Sequence, residues 1–303
     1  MTISDRGLAS PTEENFTPSV TRPVAEAACR QVGLDASDAI LLRHQTNGVY
    51  QLTTAPVIAK VARPSMHHVP QIVTLVRWLT EQGVPTVPLL DIEQPIVIHG
   101  YNVTLWYYLP QTRSILAGDI AEPLAALHRV PLPPVALPHL DALSAIRRNI
   151  ECSRILTVEE QAVLRGKWER LSELAPQLAF TKSSQLLHGD PQHRNMLWDD
   201  QANRPLLCDW EGAVLGPVEW DLVTIEIHCR RFSHPTHEYR NFCERYGTEI
   251  RGWPGYSVLR DLRELRMITS NARKSPAGTW EAEEVHRRIT MIDAGPSESW
   301  RIL

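Results

Sequence analysis

The stretch that decides the fold is Leu186-Leu187-His188-Gly189-Asp190-Pro191-Gln192-His193-Arg194-Asn195-Met196-Leu197-Trp198, answered by Leu206-Leu207-Cys208-Asp209-Trp210-Glu211. Met196–Trp198 and Leu206–Cys208 are short apolar runs. The residues between them, Asp199 to Pro205, carry strong turn chemistry. A hairpin centred near Ala202 is therefore predicted, with Asn195 entering one strand and Asp209 leaving the other, side by side. Asp190 lies one tight loop earlier, so three oxygen-bearing side chains are expected to converge. One Asp or Asn near a turn is ordinarily a turn residue bonding local backbone. Three at this spacing, on an apolar hairpin, point to chemistry instead. Magnesium prefers oxygen ligands and takes only one or two from protein. A carboxylate and an amide carbonyl, Asp209 and Asn195, suit it. The remaining carboxylate, Asp190, can accept a proton from an attacking hydroxyl, and phosphoryl transfer asks for little beyond positioning and charge neutralisation. Glu211 reads equally as part of a metal's water shell or as structural.

Upstream, the chain is strand-rich. Ala39–Arg43, Val49–Thr53 and Val57–Ala62 are short β-branched runs separated by Thr46-Asn47-Gly48 and Thr54-Ala55-Pro56, as antiparallel strands would be. Val69–Gln82 has helical spacing, and two further strands follow at Ile96–His99 and Val103–Tyr108. A short helix over Pro23–Val32 precedes them. From Pro110 the texture is helical, with helices expected at 120–130, 140–150, 158–174 (opened by the capping box Thr157-Val158-Glu159-Glu160), 218–231, 236–246, 256–271 and 280–291. The sequence thus predicts an α+β, bilobal chain: a flexible arm over 1–22, a small antiparallel-sheet lobe over 23–109, and a larger, mainly helical lobe over 110–303. The mixed-charge run Arg260, Asp261, Arg263, Glu264 and Arg266 reads as a solvated helix face.

The bulk properties exclude several function classes. The chain has 303 residues, 43% hydrophobic and 22% charged, with a formal net charge of −4. That balance carries no electrostatic footprint for nucleic acid or an anionic membrane. No run approaches the length of a membrane span, and the polar N-terminus lacks a signal-peptide core. Five scattered cysteines without a Cys-x-x-Cys pair fit reduced thiols in a cytoplasmic protein. The twelve histidines show no zinc spacing.

The Asp190-to-Asn195 spacing, with a metal-binding Asp on the next hairpin strand, resembles the protein-kinase arrangement. His188-Gly189-Asp190 and Asp209-Trp210-Glu211 look like the aminoglycoside phosphotransferase and choline-kinase group. Gly216-Pro217-Val218-Glu219-Trp220-Asp221-Leu222 and Leu124-Ala125-Ala126-Leu127-His128 resemble further segments of it, and the likeness runs from about Ala39 to about Arg273. The resemblance implies a protein-kinase-like fold and a Mg2+-dependent small-molecule kinase using ATP or GTP. The acceptor it implies is a hydroxyl of an aminoglycoside, amino sugar, sugar or amino alcohol. It further implies Asp190 as base, Asn195 and Asp209 as magnesium ligands, and Lys60 on the α- and β-phosphates. The turn at Asn47 and Gly48 would cover the nucleotide, and a hinge through Tyr107 and Leu109 would meet adenine. Asp221 would brace the catalytic loop. Monomer and homodimer both remain open. The sequence departs from the family at Gln192-His193, where the histidine comes one residue late, and in the helix after Lys60, which has only Glu81 at its far end and Gln71 as the nearest polar residue to pair with the lysine. These departures motivate an alternative, a nucleotide-binding pseudokinase acting as a regulatory or binding module. The acids of the helical part, Glu219, Glu226, Glu264, Glu281, Glu283 and Glu284, form no dense run that would mark an aminoglycoside site.

Overall fold

A computed structural model describes residues 16–181, 184–292 and 298–303. In chain order the elements are α1 (Pro18–Gln31), β1 (Ile40–His44), β2 (Asn47–Gln51), β3 (Val57–Ala62), α2 (Val69–Glu81), β4 (Ile96–Ile98) and β5 (Tyr101–Tyr107). There follow α3 (Ala117–Leu127), α4 (Ala142–Cys152), α5 (Val158–Leu174), β6 (Gln185–Leu187), β7 (Met196–Asp199), β8 (Arg204–Leu207) and β9 (Val214–Gly216). The chain closes with α6 (Glu219–Arg231), α7 (Thr236–Tyr246), α8 (Tyr256–Lys274) and α9 (Trp280–Thr290). Among the described residues no helix is long and apolar enough to cross a membrane.

Two compact units result. Among the described residues the first comprises 16–114, 133–136 and 197–211, and the second 115–132, 137–181, 184–196, 212–292 and 298–303. In the first, five antiparallel strands run in the order β1-β2-β3-β5-β4. Strand alternation decides what each face carries. Val57, Ala59 and Val61 of β3 point into a core shared with Val103 and Leu105 of β5 and with Val24, Ala28 and Cys29 of α1. Lys60, one residue out of phase, points to the other face, with Thr104 of β5 as its register partner.

Several boundaries differ from the sequence reading, among them α3, expected at 120–130 and found at Ala117–Leu127, and three further readings are corrected. The expected flexible arm falls partly outside the described residues, since residues 1–15 are not among them, but Phe16 is buried and α1 starts at Pro18. Pro18 supplies the helix start and Pro23 lies inside the helix. Burial of Thr21, Val24, Ala25 and Ala28 against the sheet outweighs the backbone bond that Pro23 removes. Asn47 and Gly48 are strand residues, opposite Ala62 and Val61 of β3, so the turn falls on Gln45-Thr46. The solvated face expected at 260–266 is buried at Arg263 and Glu264.

The second unit is helical, with α8 packed against α4, α5, α6 and α9, and α3 against α7. The capping box at Thr157 forms as predicted and opens α5. A two-stranded antiparallel sheet, β6 with β9, pairs Leu187 with Val214 and carries the chain into His188. The predicted hairpin is present as β7 paired with β8.

Candidate active site

The loop after β6 is held from one side by Asp221, which is fully buried in the first turn of α6. Its Oδ2 accepts the backbone N–H of His188 at 2.9 Å and its Oδ1 that of Gly189 at 3.0 Å. The ring of His128, from the end of α3, reaches Oδ2 with Nε2 at 3.1 Å, and its Nδ1 lies 2.7 Å from the Tyr246 hydroxyl. The sequence comparison implied this bracing role for Asp221; the His128–Tyr246 support behind it left no signal beyond a matching helix motif. Gly189 has φ +83°, and a Cβ there would lie 2.1 Å from the carbonyl oxygen of Gly212. Only glycine fits that left-handed, backbone-crowded position.

The clamp presents Asp190, whose side chain is 43% exposed. Asn195 donates from Nδ2 to the Asp190 carbonyl at 2.9 Å and to its Oδ2 at 3.2 Å, which leaves the Asn195 amide oxygen uninvolved in those bonds. Arg263 Nη2 holds Asp190 Oδ1 at 2.6 Å, while its guanidinium lies 5.0 Å from the Trp220 ring. Arg263 is a neighbour of Asp190 that the sequence reading does not reveal, because nothing local distinguishes it from other charges of its helix.

His193, the late histidine of the loop, stacks on His234 with ring centroids 3.9 Å apart and planes 5° from parallel. Burial and the neighbouring His234 push His193 down to about 4, so its ring is neutral near pH 7. The donor atoms of His193, His234 and Glu238 lie within 4.8 Å of one another. Imidazole lone pairs lie in the ring planes, and parallel stacked planes do not aim both pairs at one ion. Glu238 already accepts the Ala117 N–H at 3.1 Å and so tethers the start of α3.

In the first unit the chemistry gathers on Lys60. Its Nζ lies 3.2 Å from Asp209 Oδ1 and forms a close ion pair with Glu211 Oε1. Arg43 Nη2 approaches Asp209 Oδ2 at 3.8 Å. Burial alone would lower the lysine, but the charges of Glu211 and Asp209 outweigh it and hold Lys60 above its ordinary value. For Asp209 burial is likewise outweighed, by a hydrogen bond from Glu211 and by Lys60 and Arg43, and its carboxyl sits well below the usual range. Glu211 moves upward, driven by burial, with Asp209 beside it adding to the rise and Lys60 only partly offsetting it. Two carboxylates crowded on one cation in this way titrate apart. The partner missing from α2 is thus replaced by acids two residues apart on the exit of β8. Gln71 makes no such contact among the described residues, and Glu211 takes the role the sequence left open.

The other sequence-singled residues of this unit are also placed. Asn47 donates from Nδ2 to Glu211 Oε1 at 3.1 Å and joins the same cluster. Gly48 faces Thr21, Tyr50 and His44, whose side-chain atoms would lie 3.1–3.3 Å from an added Cβ. Tyr107 ends β5, and its N–H is taken by the Pro88 carbonyl at 3.1 Å. The Leu109 carbonyl accepts from the Gln111 side chain at 2.8 Å.

The sequence carries the signature of a known group. A family model described as a phosphotransferase enzyme family matches residues 39–262, and the chain belongs to that family. Solved structures with the same fold include a choline/ethanolamine kinase family protein from Mesorhizobium loti. It is 15% identical with TM-score 0.67, over 90% of this chain and 94% of that one. An amicoumacin kinase in complex with AMP-PNP and Ca2+ is 12% identical with TM-score 0.66, over 87% and 90% of the two chains. A spectinomycin phosphotransferase in complex with ADP and spectinomycin is 13% identical with TM-score 0.61, over 86% and 90%. No curated protein matches the sequence.

Proposed function

We propose that the protein is a small-molecule kinase that moves the γ-phosphoryl group of ATP or GTP to a hydroxyl of a small polar acceptor, in the cytoplasm, with Asp190 as the base. The observation that carries this reading is the held loop: Asp221 fixes the His188 and Gly189 amides, and the carboxylate that follows is exposed and oriented by Asn195. A merely structural aspartate would not need a buried carboxylate dedicated to positioning its backbone. In the proposed step the acceptor oxygen bonds to the γ-phosphorus, the bond from that phosphorus to the β,γ-bridging oxygen breaks, and the nucleoside diphosphate leaves. The hydroxyl proton passes to an Asp190 carboxylate oxygen.

Lys60 is the proposed phosphate-binding cation, and Asn195 and Asp209 are the proposed magnesium ligands. The donor chemistry fits, since both offer hard oxygen atoms and Asp209 is ionised across the physiological range. When bound, Mg2+ would neutralise phosphate charge. Asn47, Gly48, Tyr107 and Leu109 remain the proposed nucleotide neighbours, although Asn47 and the Tyr107 N–H are engaged within the protein. The pseudokinase alternative drew on the missing partner of Lys60 and on the altered loop at Gln192-His193; the pairing of Lys60 with Asp209 and Glu211 speaks against the first of these and leaves the second standing. The test is nucleotide consumption with Mg2+, ATP or GTP and a panel of hydroxyl acceptors, wild type against Asp190→Ala. Turnover present in the wild type and lost in the variant, with nucleotide binding retained, is the expected result. Turnover equal in the two proteins sinks Asp190 as base.

A further inference from the structure

An acceptor rich in amines needs free carboxylates, and three buried acids of the second unit are already paired with arginines. Glu264 takes Arg230 at 2.6 Å and Arg231 at 2.9 Å. Glu226 pairs with Arg230 at 3.0 Å and Arg251 at 3.4 Å. Glu284 is held by Arg287 at 2.7 Å and Arg288 at 2.9 Å. Glu219, buried at the start of α6, takes the Thr181 N–H on Oε1, while its Oε2 has no hydrogen-bond partner among the described residues.

Beside Asp190 the balance runs the other way. Arg263 is buried, and its Nε has no hydrogen-bond partner among the described residues. Among the described residues its one ion pair is with the exposed Asp190 carboxylate. Arg266 stands three residues further along α8, on the same helix face. Its carbonyl accepts from Thr269 Oγ1 at 3.3 Å, but its side chain has no hydrogen bond or ion pair among the described residues. Helix α4, packed on α8, adds the exposed Arg148. It also adds Asp141, whose Oδ1 is committed to its own helix by capping the Ser144 N–H at 3.0 Å. Burial and then the charges of Arg263 and Arg148 push Arg266 down to about 10, with Asp190 and Asp141 only partly opposing them. At pH 7 Arg266 is still charged, so an anion is the group that relieves this crowding.

We propose that Arg263 and Arg266, with Arg148 at the margin, form an anion subsite beside Asp190, and that the acceptor is a hydroxyl compound carrying a carboxylate or phosphate group rather than an amine. This rests on Asp190 as the transfer base. A planar guanidinium matches either anion with paired donors, so both sources share the recognition chemistry. A cationic acceptor would meet the Arg263 guanidinium, 2.6 Å from Asp190, where a hydroxyl must approach. The acceptor's anion gives Arg263 a second partner and shares the cation that otherwise holds Asp190 alone.

The test uses the full-length protein in two measurements. Calorimetric titrations of wild type, Arg266→Gln and Arg266→Lys employ D-glycerate and D-gluconate as carboxylates, glycerol 3-phosphate as a phosphate, and choline, ethanolamine and kanamycin as amines. Thermal melting confirms that each variant is folded. Expected is saturable binding of at least one anionic probe, weakened about tenfold or more in Arg266→Gln and partly restored in Arg266→Lys, with no binding of the amines. The arm that binds distinguishes carboxylate from phosphate. Binding of amines alone, no anionic binding, or anionic binding equal in Arg266→Gln overturns the proposal. ATP consumption on the same probes, with Asp190→Ala as control, separates the two levels. Asp190-dependent turnover of an amine probe alone overturns the anion subsite and leaves the kinase standing. Anion binding weakened in Arg266→Gln, with turnover unchanged in Asp190→Ala, keeps the subsite and overturns the base.

Discussion

Replacing Asp221 with Asn tests the reasoning about the held loop at a single oxygen. The two side chains have the same shape, so packing against the start of α6 is conserved. Asp221 accepts two backbone N–H groups, from His188 at 2.9 Å and Gly189 at 3.0 Å, on different oxygens. An amide can accept one of them and must turn an NH2 toward the other. Losing one charge-assisted bond costs about 1.5–3 kcal/mol, and weakening the second to a neutral bond costs about 1 more. Relief of burying a charge offsets part of this, so the expected net destabilisation is about 2–3 kcal/mol. A domain with about 5–15 kcal/mol of stability survives that loss. Urea unfolding measures it directly, and amide exchange at His188 and Gly189 should speed up in the folded variant more than at Leu186. Turnover should fall while nucleotide affinity changes little. A variant within about 0.5 kcal/mol of wild type, with exchange at those two amides unchanged, refutes the idea that Asp221 holds the loop.

Gly189→Ala forces a Cβ against the Gly212 carbonyl at a left-handed backbone position, so a loss of at least about 3 kcal/mol or failure to fold is expected in denaturant melts. Lys60→Met leaves Asp209 and Glu211 crowded without their cation. It should weaken nucleotide binding, read by titration with a fluorescent analogue, and destabilise the fold by about 3 kcal/mol at neutral pH, much less at pH 4 where Glu211 takes up a proton. His228 is held by burial at about 3, below the 6.5 of an exposed histidine. The unfolded chain therefore binds its proton first as pH falls. The stability that depends on neutral His228 is full above pH 6.5 and is lost progressively toward pH 3, at up to about 1.4 kcal/mol per pH unit. His228→Phe should flatten that slope in urea melts between pH 4 and 7, and an unchanged slope would count against burial as its cause.

Most of the architecture was legible because it rests on local signals. The turn residues between Trp198 and Leu206 announce the β7–β8 hairpin, and the Thr157 capping box announces α5. Alternation in Val57–Ala62 separates Lys60 from the core. The illegible parts rest on contacts between distant segments. Lys60 meets Glu211 across 151 positions of chain, and Asp190 meets Arg263 across 73. No local pattern marks either pair. The start of α1 is hidden in the sequence for another reason. Pro23 looks like a helix start, whereas tertiary burial carries the helix through it and Pro18 opens it. Asn47-Gly48 looks like a hairpin turn, yet strand pairing with Val61 and Ala62 claims both residues.

The pairing of Lys60 with acids from the exit of β8 has a consequence for how this protein can be controlled. A lysine tied to a mobile helix can be switched by moving that helix. Here α2 contributes no carboxylate to the lysine, and Lys60, Asp209 and Glu211 are fixed by the sheet and by one short segment of chain. Displacing α2 would leave the charge cluster intact. A tag or a partner on its outward residues is therefore expected to leave the pairing of Lys60 with Asp209 and Glu211 unchanged.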